Sequence, residues 1–141
     1  MLKTKLFPIL SILVTLTLLV SGCGTPDPAA LSEDQVKAVT ENILLAIDAG
    51  DYAAFTRDFS DEMVTAFPEA QFTQLAGMLH TASGNYVSVG ELNLSNKQGY
   101  ALYRIICKYE KEDVVVTVVI EIGGDKVDGL FFDSPNLRNS Q

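Results

Sequence analysis

The residues best suited to chemistry are few, because the chain has two cysteines and one histidine. His80 stands where a helix is predicted to end, near Thr81 and Ser83, and could act as a general base. A histidine in that position more often interacts with the last helical carbonyl groups and the helix dipole. Cys107 lies in an apolar, strand-like run, with no histidine beside it in sequence to activate the thiol. We therefore expect Cys107 to be a small buried hydrophobic residue rather than a nucleophile.

Carboxylic acids and tyrosines are the next candidates for chemistry. An enzyme that stabilises an enolate or oxyanion needs a general base and hydrogen-bond donors. The acids that could serve are Asp58, Asp61 and Glu62, and the donors that could serve are Tyr86, Tyr103 and Tyr109. The alternative is that the tyrosines pack in the core or at an interface, while the acids lie in solvent at a helix start. The sequence has no zinc-ligand spacing, phosphate-binding loop or calcium loop, so we expect no metal and no other cofactor.

The start of the chain has the pattern of a signal peptide. Met1 to Lys5 are partly basic, and Leu6 to Val20 form a strongly apolar run. A fifteen-residue helix is about 22 Å long, which is shorter than the hydrocarbon core of about 30 Å. We therefore expect residues 1 to 22 to be a signal peptide rather than a permanent membrane span.

The residues that follow this run resemble the lipobox of bacterial-type lipoproteins. Leu19 and Val20 are followed by the small residues Ser21 and Gly22 and then by Cys23. The resemblance implies that the thiol of Cys23 carries diacylglycerol, which attaches the chain to the extracytoplasmic face of the cell membrane or the outer membrane. The alternatives are a plain secretory signal cleaved near Cys23 and a cysteine buried in an uncleaved anchor.

Composition and charge limit the remaining functions. The chain is 48% hydrophobic and 20% charged, which argues against disorder, collagen and coiled coil. Residues 23 to 141 have the length of one domain, which can fold without a disulfide framework or a structural metal. The net charge is −8, and Lys3 and Lys5 lie in the predicted signal peptide, so the rest is still more acidic. We therefore expect no nucleic-acid partner.

The first half of the domain is predicted to be helical. Residues 23 to 30 form a lipidated tether, which two prolines keep extended. Ser32 and Gln35 form a capping box at the start of a helix that ends at Gly50. Two short helices and a longer one follow, with Asp51, Ser60 and Pro68 at their starts and the last helix ending near Ser83.

The second half is predicted to be a sheet. Four strands are separated by turns of hairpin length, at residues 86–94, 100–109, 114–122 and 127–133. Helices followed by such a meander predict an α+β fold, with the N-terminal helices packed on a curved four-stranded antiparallel sheet. We place this domain at residues 31–135 and a polar tail at residues 136–141.

Two segments carry a family resemblance. The break at Gly50-Asp51 between a long helix and a short aromatic helix is similar to the nuclear transport factor 2-like superfamily, which includes SnoaL-like and ketosteroid-isomerase-like proteins. The closing turn and strand, residues 124 to 132, are similar to the last hairpin of these cone-shaped domains. Within the superfamily the pattern looks most like the domain-of-unknown-function family 3887, whose members are often secreted lipoproteins.

The resemblance implies a pocket between the sheet and the helices. Its expected lining is aromatic: Phe55, Phe59, Phe72, Tyr86, Tyr103 and Phe131. The leading hypothesis is a non-enzymatic module that holds a small apolar ligand in this pocket or forms a homodimer through its sheet. Two alternatives stay open. One is an enzyme that uses a buried carboxylate and a tyrosine, and the other is a structural partner in an envelope complex.

Overall fold

A computed structural model of the chain describes residues 31 to 140. The predicted signal peptide, Cys23 and the tether therefore lie outside the described residues. The described part begins with helices and continues with strands, in the order α1 (Glu33–Ala49), α2 (Tyr52–Thr56), α3 (Asp61–Ala66), α4 (Glu69–Ala82), β1 (Tyr86–Lys97), β2 (Tyr100–Tyr109), β3 (Asp113–Glu121), β4 (Val127–Asp133) and α5 (Pro135–Asn139). None of these helices is long and apolar enough to cross a membrane.

Helix α1 has both of its predicted ends. The Ser32 hydroxyl accepts from the Gln35 backbone N–H at 3.4 Å, and the Gln35 side chain accepts from the Ser32 N–H at 3.0 Å. Gly50 ends the helix in the left-handed conformation, at φ 68°, which a residue without a Cβ adopts most easily. The buried face is formed by Val36, Thr40, Ile43, Leu44, Ala46 and Ile47.

The short helices begin at the predicted caps. The Asp51 carboxylate accepts from the Ala54 N–H at 3.0 Å, and the Ser60 hydroxyl accepts from the Met63 N–H at 3.3 Å. Pro68 stands at the start of α4. The Asp51 and Ser60 side chains satisfy N–H groups that the first helical turn leaves without partners, which fixes where α2 and α3 begin.

The sheet is a meander with the strand order β1-β2-β3-β4, and all its pairs are antiparallel. The predicted α+β fold is thus confirmed: helices precede a four-stranded antiparallel open sheet, which is consistent with a nuclear transport factor 2-like cone. Strand β1 is longer than predicted, because it continues to Lys97, and it contains two register shifts. The second shift holds Gly90, where a Cβ would lie 2.5 Å from the Ile106 carbonyl oxygen.

One face of the sheet packs against the helices. Side chains alternate between the two faces of a strand, and in β2 and β3 every second residue is buried. These inward residues are Ala101, Tyr103, Ile105, Cys107, Tyr109, Val114, Val116, Val118 and Ile120. They form one core with the buried side chains of the helices.

The short helix α5 begins at the last residue of the predicted domain and continues into the residues predicted to form a polar tail. Ser134 caps this helix by accepting from the Leu137 N–H at 3.2 Å, and Leu137 is buried. A single apolar side chain and a capping serine are too weak a pattern to predict a helix of one turn. Through Leu137, the chain beyond residue 135 packs against the core of the domain.

Candidate functional site

The best candidate site lies where the ends of α1 and α4 meet the start of β1 and the end of β2. Asp48 comes from the last turn of α1, His80 from the last turn of α4, Tyr86 from the start of β1 and Tyr109 from the end of β2. We call these four residues the His80 corner. Sequence reasoning identified His80 and the two tyrosines as candidates but did not identify Asp48.

Asp48 is held by two neighbours. Its Oδ2 accepts from the Tyr86 backbone N–H at 3.0 Å, and its Oδ1 lies 3.4 Å from His80 Nε2. Burial raises the pKa of the Asp48 carboxyl and outweighs the opposing effects of the Tyr86 hydrogen bond and the His80 charge. The negative charge of Glu110 raises this pKa further. The corner thus contains a carboxylate whose ionised form is less favoured than it is in water.

His80 faces both the interior and the solvent. Its side chain is 39% exposed, yet its Nε2 atom is buried and has no hydrogen-bond partner of good geometry among residues 31–140. The Asp48 oxygen is close enough for an ion pair but is not aligned for a hydrogen bond. The exposed part of the ring borders a shallow depression, which is lined by Ile47, Asp48, Ala49, Gly50, Ala76, Gly77, His80 and Thr81.

The two tyrosines of the corner keep their protons at neutral pH. Burial, with a contribution from the charge of Glu41, raises the pKa of Tyr86 to about 12, and its hydroxyl lies 3.5 Å from Glu41 Oε1. Burial also raises the pKa of Tyr109, whose buried hydroxyl has no partner among the described residues. The ring centroids of the two are 6.0 Å apart. Both phenols can therefore donate hydrogen bonds but cannot act as bases.

The other acids proposed from the sequence have local roles. Asp58 lies 3.0 Å from Arg57 Nη2 and also accepts from the Asn42 side chain. Asp61 and Glu62 are exposed in the first turn of α3, where a negative charge favours the helix dipole. Asp61 and Glu62 thus agree with the alternative of solvated acids at a helix start, whereas Asp58 is half-buried between α2 and α3. Tyr103 donates its hydroxyl to the Leu31 carbonyl at 3.2 Å.

Cys107 is fully buried, as predicted. Burial raises the pKa of its thiol to about 12. Since the thiolate is the reactive form, a thiol in this environment is inert at neutral pH.

The six aromatic residues expected to line a pocket do not lie together. Phe55, Phe59, Phe72 and Tyr103 are buried in the core, and the Phe55 ring lies 4.8 Å from the rings of both Phe59 and Phe72. Tyr86 is half-buried at the His80 corner, whereas Phe131 is 63% exposed. The first three side chains fill the space beneath the helices by contacting one another.

Three further depressions lie at the surface. The first lies between the start of α1 and the irregular part of β1 and is lined by Glu33, Lys37, Val89, Gly90, Glu91, Leu92 and Asn93. The second follows α3 and α4 and is lined by Phe67, Gln71, Gln74, Leu75 and Met78. The third lies on α3 and is lined by Asp61, Glu62, Thr65 and Ala66. None of these three depressions, nor the one beside His80, is lined by any of the six aromatic residues. Residues 31–140 hold no cluster of three or more histidine, cysteine or acidic side chains suited to a metal ion.

The face of the sheet turned away from the helices carries apolar side chains. Cross-strand partners share a face, so Ile106 and Val115 lie side by side there, as do Leu102 and Val119. Phe131 pairs with Thr117 on the same side. Phe131 is 63% exposed, Tyr100 40% and Ile106 39%. We call Tyr100, Leu102, Ile106, Val115, Val119 and Phe131, with the charged Arg104 and Lys108 between them, the outer face.

Comparison with known families gives a match over most of the described domain. Residues 40–126 match the model of a family described as "Protein of unknown function (DUF3887)". The match covers more than half of the chain. The chain belongs to the DUF3887 family. A search of curated proteins found no match.

The DUF3887 match contains the whole His80 corner and the buried Cys107. It ends just before β4, so Phe131 on the outer face and the helix α5 lie beyond it. Cys23 lies before its start. The family assignment therefore covers most of α1, the helices α2 to α4 and the first three strands, and it carries no established activity.

Proposed function

We propose that this chain is a lipid-anchored, extracytoplasmic binding module that contacts a protein partner through the outer face of its sheet. The observation that carries the proposal is the exposure of large apolar side chains, Phe131 above all, on a face that no helix covers among residues 31–140. Exposed apolar surface of this kind marks a site of interaction.

The anchor is supported by the order of residues at the N-terminus. A basic segment, an apolar run too short to span a bilayer and two small residues precede Cys23. Acyl chains contribute about 0.8 kcal/mol per buried methylene, so two or more chains on one cysteine hold a domain firmly at a membrane. Attachment also confines the domain to a plane, where a weak interaction with another membrane-bound protein becomes effective.

The outer face suits a binding partner better than the side of the sheet that packs against the helices. A small apolar ligand between the sheet and the helices would have to displace core residues such as Phe55 and Tyr103, which are almost completely buried. Removing a large side chain from such a core costs roughly 3–5 kcal/mol. A pocket ligand is therefore the weaker form of the binding hypothesis.

The anchor is tested by the intact mass of the protein from the membrane fraction. We expect wild type to have the mass of residues 23–141 plus acyl groups. Cys23→Ser should lose both the acyl mass and the membrane location, because the acceptor thiol is gone. Cys107→Ser is the matched control and should remain acylated, since its thiol is buried. An unmodified Met1 terminus in wild type would refute the anchor.

The binding surface is tested by the size of the complex extracted in mild detergent. We expect the wild-type protein to migrate as a species larger than one copy on native electrophoresis. Phe131→Lys should reduce the size of this species. Leu45→Lys is the control, because Leu45 is also exposed, at 53%, but lies on α1. Equal migration of the two variants and wild type would refute a partner on the outer face.

A second candidate function is favoured by one observation at the His80 corner. Asp48 lies in the last turn of α1, where a negative charge opposes the helix dipole, and burial makes its ionised form still less favourable. Titratable groups whose pKa is shifted by burial are frequent at functional sites. Asp48 could remove a proton next to a carbonyl group, with the phenols of Tyr86 and Tyr109 as donors to the enolate oxygen.

This second function is tested with an enolisable cyclic ketone in deuterated buffer. We expect the protein to accelerate deuterium incorporation next to the carbonyl group, and Asp48→Asn to abolish the acceleration. Asp61→Asn is the control, because Asp61 is an exposed acid on α3. Equal incorporation with wild type and with Asp48→Asn would exclude Asp48 as the base.

A further inference from the structure

We infer that the partner bound by the outer face is a second copy of this chain, related to the first by a twofold axis parallel to the strands between β2 and β3. The inference rests on the proposed function, because it names the partner of that same surface. It follows from the way in which charged and apolar residues are distributed over the rows of the sheet. A row is the set of residues that are cross-strand partners of one another.

The charges on the outer face are separated by strand. Strand β2 carries Arg104 and Lys108, whereas β3 begins with Asp113 and ends with Glu121. Lys108 and Asp113 are cross-strand partners in one row, yet no ion pair joins them in the part of the chain that the structure describes. Both groups therefore remain available to an opposing surface.

A twofold axis parallel to the strands makes this pattern self-complementary. Two sheets packed face to face lie roughly 10 Å apart. The rotation keeps each row at its height but exchanges the strands, so that β2 lies over the partner's β3. Lys108 then faces the partner's Asp113, and Ile106 faces the partner's Val115.

The outer strands are compatible with the same arrangement. Phe131 on β4 lies in the row of Arg104 and Asn93, so it comes over the partner's Asn93 on β1. The acid beside it on this face, Asp133, is already paired with Arg138 at 2.6 Å. The most exposed aromatic ring is thereby covered without an unpaired acid next to it.

The other twofold axis in the plane of the interface is unfavourable. An axis perpendicular to the strands through the middle of the sheet places β2 over the partner's β2. Arg104 occupies the central row of the β2–β3 pairing, so it would face the partner's Arg104. Like charges in direct opposition suppress an interface, which leaves the parallel axis.

A photocrosslink in the full-length chain in its membrane tests the inference. Phe131→p-benzoylphenylalanine should give an adduct of twice the chain mass, with the linkage on the partner's β1 near Asn93. Leu45→p-benzoylphenylalanine is the control and should give no such adduct, because Leu45 is exposed on α1.

The other outcomes of this experiment overturn the inference in distinguishable ways. A linkage from position 131 to the partner's β4 would exclude the parallel axis. An adduct with a different protein, or no adduct, would exclude a second copy as the partner. In both of those cases the proposed function is judged separately, by the native size of Phe131→Lys and by the mass of Cys23→Ser.

A charge exchange tests the pairing of rows directly. Full-length Lys108→Glu and Asp113→Lys each place like charges across the interface twice, whereas a mixed dimer of the two variants places opposite charges there twice. We expect co-extracted mixed dimers to exceed either homodimer by about tenfold, since charge complementarity selects partners. Mixing Glu33→Lys with Lys37→Glu, which exchanges an ion pair on α1 away from the outer face, should give the statistical proportion. A statistical proportion for the Lys108 and Asp113 variants would refute the row matching.

Discussion

Glu112 joins three segments of the chain through one carboxylate. Its Oε1 accepts from the Ser83 hydroxyl at 2.6 Å and from the Ser134 hydroxyl at 2.7 Å, and its Oε2 accepts from the Asn136 N–H at 3.1 Å. Ser83 and Ser134 are both buried. Burial alone would raise the pKa of Glu112, but these three hydrogen bonds outweigh it, so the pKa lies below its usual value.

Replacing Glu112 should therefore weaken the fold in a pH-dependent way. At pH 7 we expect Glu112→Gln to reduce the free energy of unfolding by roughly 1–3 kcal/mol, since its amide N–H₂ cannot accept from Asn136. A lowered pKa stabilises the fold above the pKa of the unfolded chain, and this stabilisation disappears as the pH falls through the folded pKa. Urea titrations at a series of pH values from 7 downward should thus show a difference that is largest at pH 7 and shrinks as the pH falls through the folded pKa. Exposed Glu91→Gln is the control, and a Glu112→Gln effect that did not shrink with falling pH would contradict the explanation.

Asp48 should show the opposite dependence on pH. Its pKa is raised, so folding favours its protonated form, and stability is lost as the pH rises through the folded pKa. We expect Asp48→Asn to stabilise the protein by about 0.5 kcal/mol at pH 7, because it also removes a negative charge from the C-terminus of α1. The gain should vanish below pH 4 in the same titrations. Destabilisation at pH 7 would show that the Asp48–His80 attraction outweighs burial.

The Cys107 thiol should report unfolding. With a pKa near 12 and no exposed surface, it should resist iodoacetamide at pH 8 and react rapidly in 8 M urea. Mass spectrometry after a timed quench would measure the labelling. Fast labelling of the folded protein would mean that the strand opens locally, contrary to its place in the core.

The difference between these residues explains what could be predicted at this scale. Cys107 could be assigned to the core because its own strand is apolar. Asp48 and Glu112 could not be assigned, because their partners lie far away in sequence: His80 for Asp48, and Ser83 and Ser134 for Glu112. Such contacts are set by how the elements pack and leave no local pattern.

Among the elements, β1 is the least regular. It forms an edge of the sheet, and its register with β2 shifts between Val89 and Leu92. Such bulges occur at sheet edges and hinder pairing with another chain's edge. A Cβ at position 90 would lie too close to the Ile106 carbonyl oxygen, so the bulge depends on a residue without a side chain.

Two glycines should therefore respond in opposite directions to the same substitution. Gly90→Ala should lower the free energy of unfolding by roughly 1–3 kcal/mol, because its Cβ would collide with a backbone carbonyl. Gly77→Ala should raise it by about 1 kcal/mol, since Gly77 is inside α4 with no atom near its Cβ position. Thermal and urea denaturation of both variants would measure the pair. A shift of the same sign in both would contradict the steric argument.

Helix starts could be predicted because their signals are local. Ser32, Asp51 and Ser60 each cap an N–H group three residues later, so the cap and its partner lie in one short stretch of sequence. The end of β1 was missed because residues 95–97 were predicted to belong to a turn, whereas they pair with residues 100–102 around a tighter turn at Gln98 and Gly99. The helix α5 was missed because it depends on contacts with residues distant in the chain.

At the level of the whole molecule, α5 connects the end of the chain to the rest of the domain. Leu137 is buried in the core, and the Asn136 side chain donates to the Ala82 carbonyl at the end of α4. Residues beyond the predicted domain boundary thus contribute to the same core.

Truncating Leu137 should consequently destabilise the whole domain rather than the tail alone. We expect Leu137→Ala to lower the free energy of unfolding by roughly 2–4 kcal/mol through the cavity it leaves. Arg138→Ala removes only an exposed ion pair with Asp133 and should cost at most about 0.5 kcal/mol. Loss of ellipticity in one cooperative transition would confirm the single core. An unchanged midpoint for Leu137→Ala would show that α5 is detached.

The fold class could be predicted from the change of hydrophobic period in mid-chain, from helical spacing to alternation. The site could not, because the expected aromatic pocket presumed a space that Phe55, Phe59 and Phe72 fill themselves. The position of the outer face could not be predicted either. Alternation shows that a strand has two faces, but only the packed structure shows which of them the helices cover.

The meander order of the sheet also bears on how fast the domain forms. Every strand pairs with its neighbour along the chain, so each new pairing closes only a short loop. Short loops cost little chain entropy, and proteins rich in such contacts fold quickly for their size. A polypeptide delivered unfolded to the far side of a membrane would thus need only brief protection before its β-branched strands are covered.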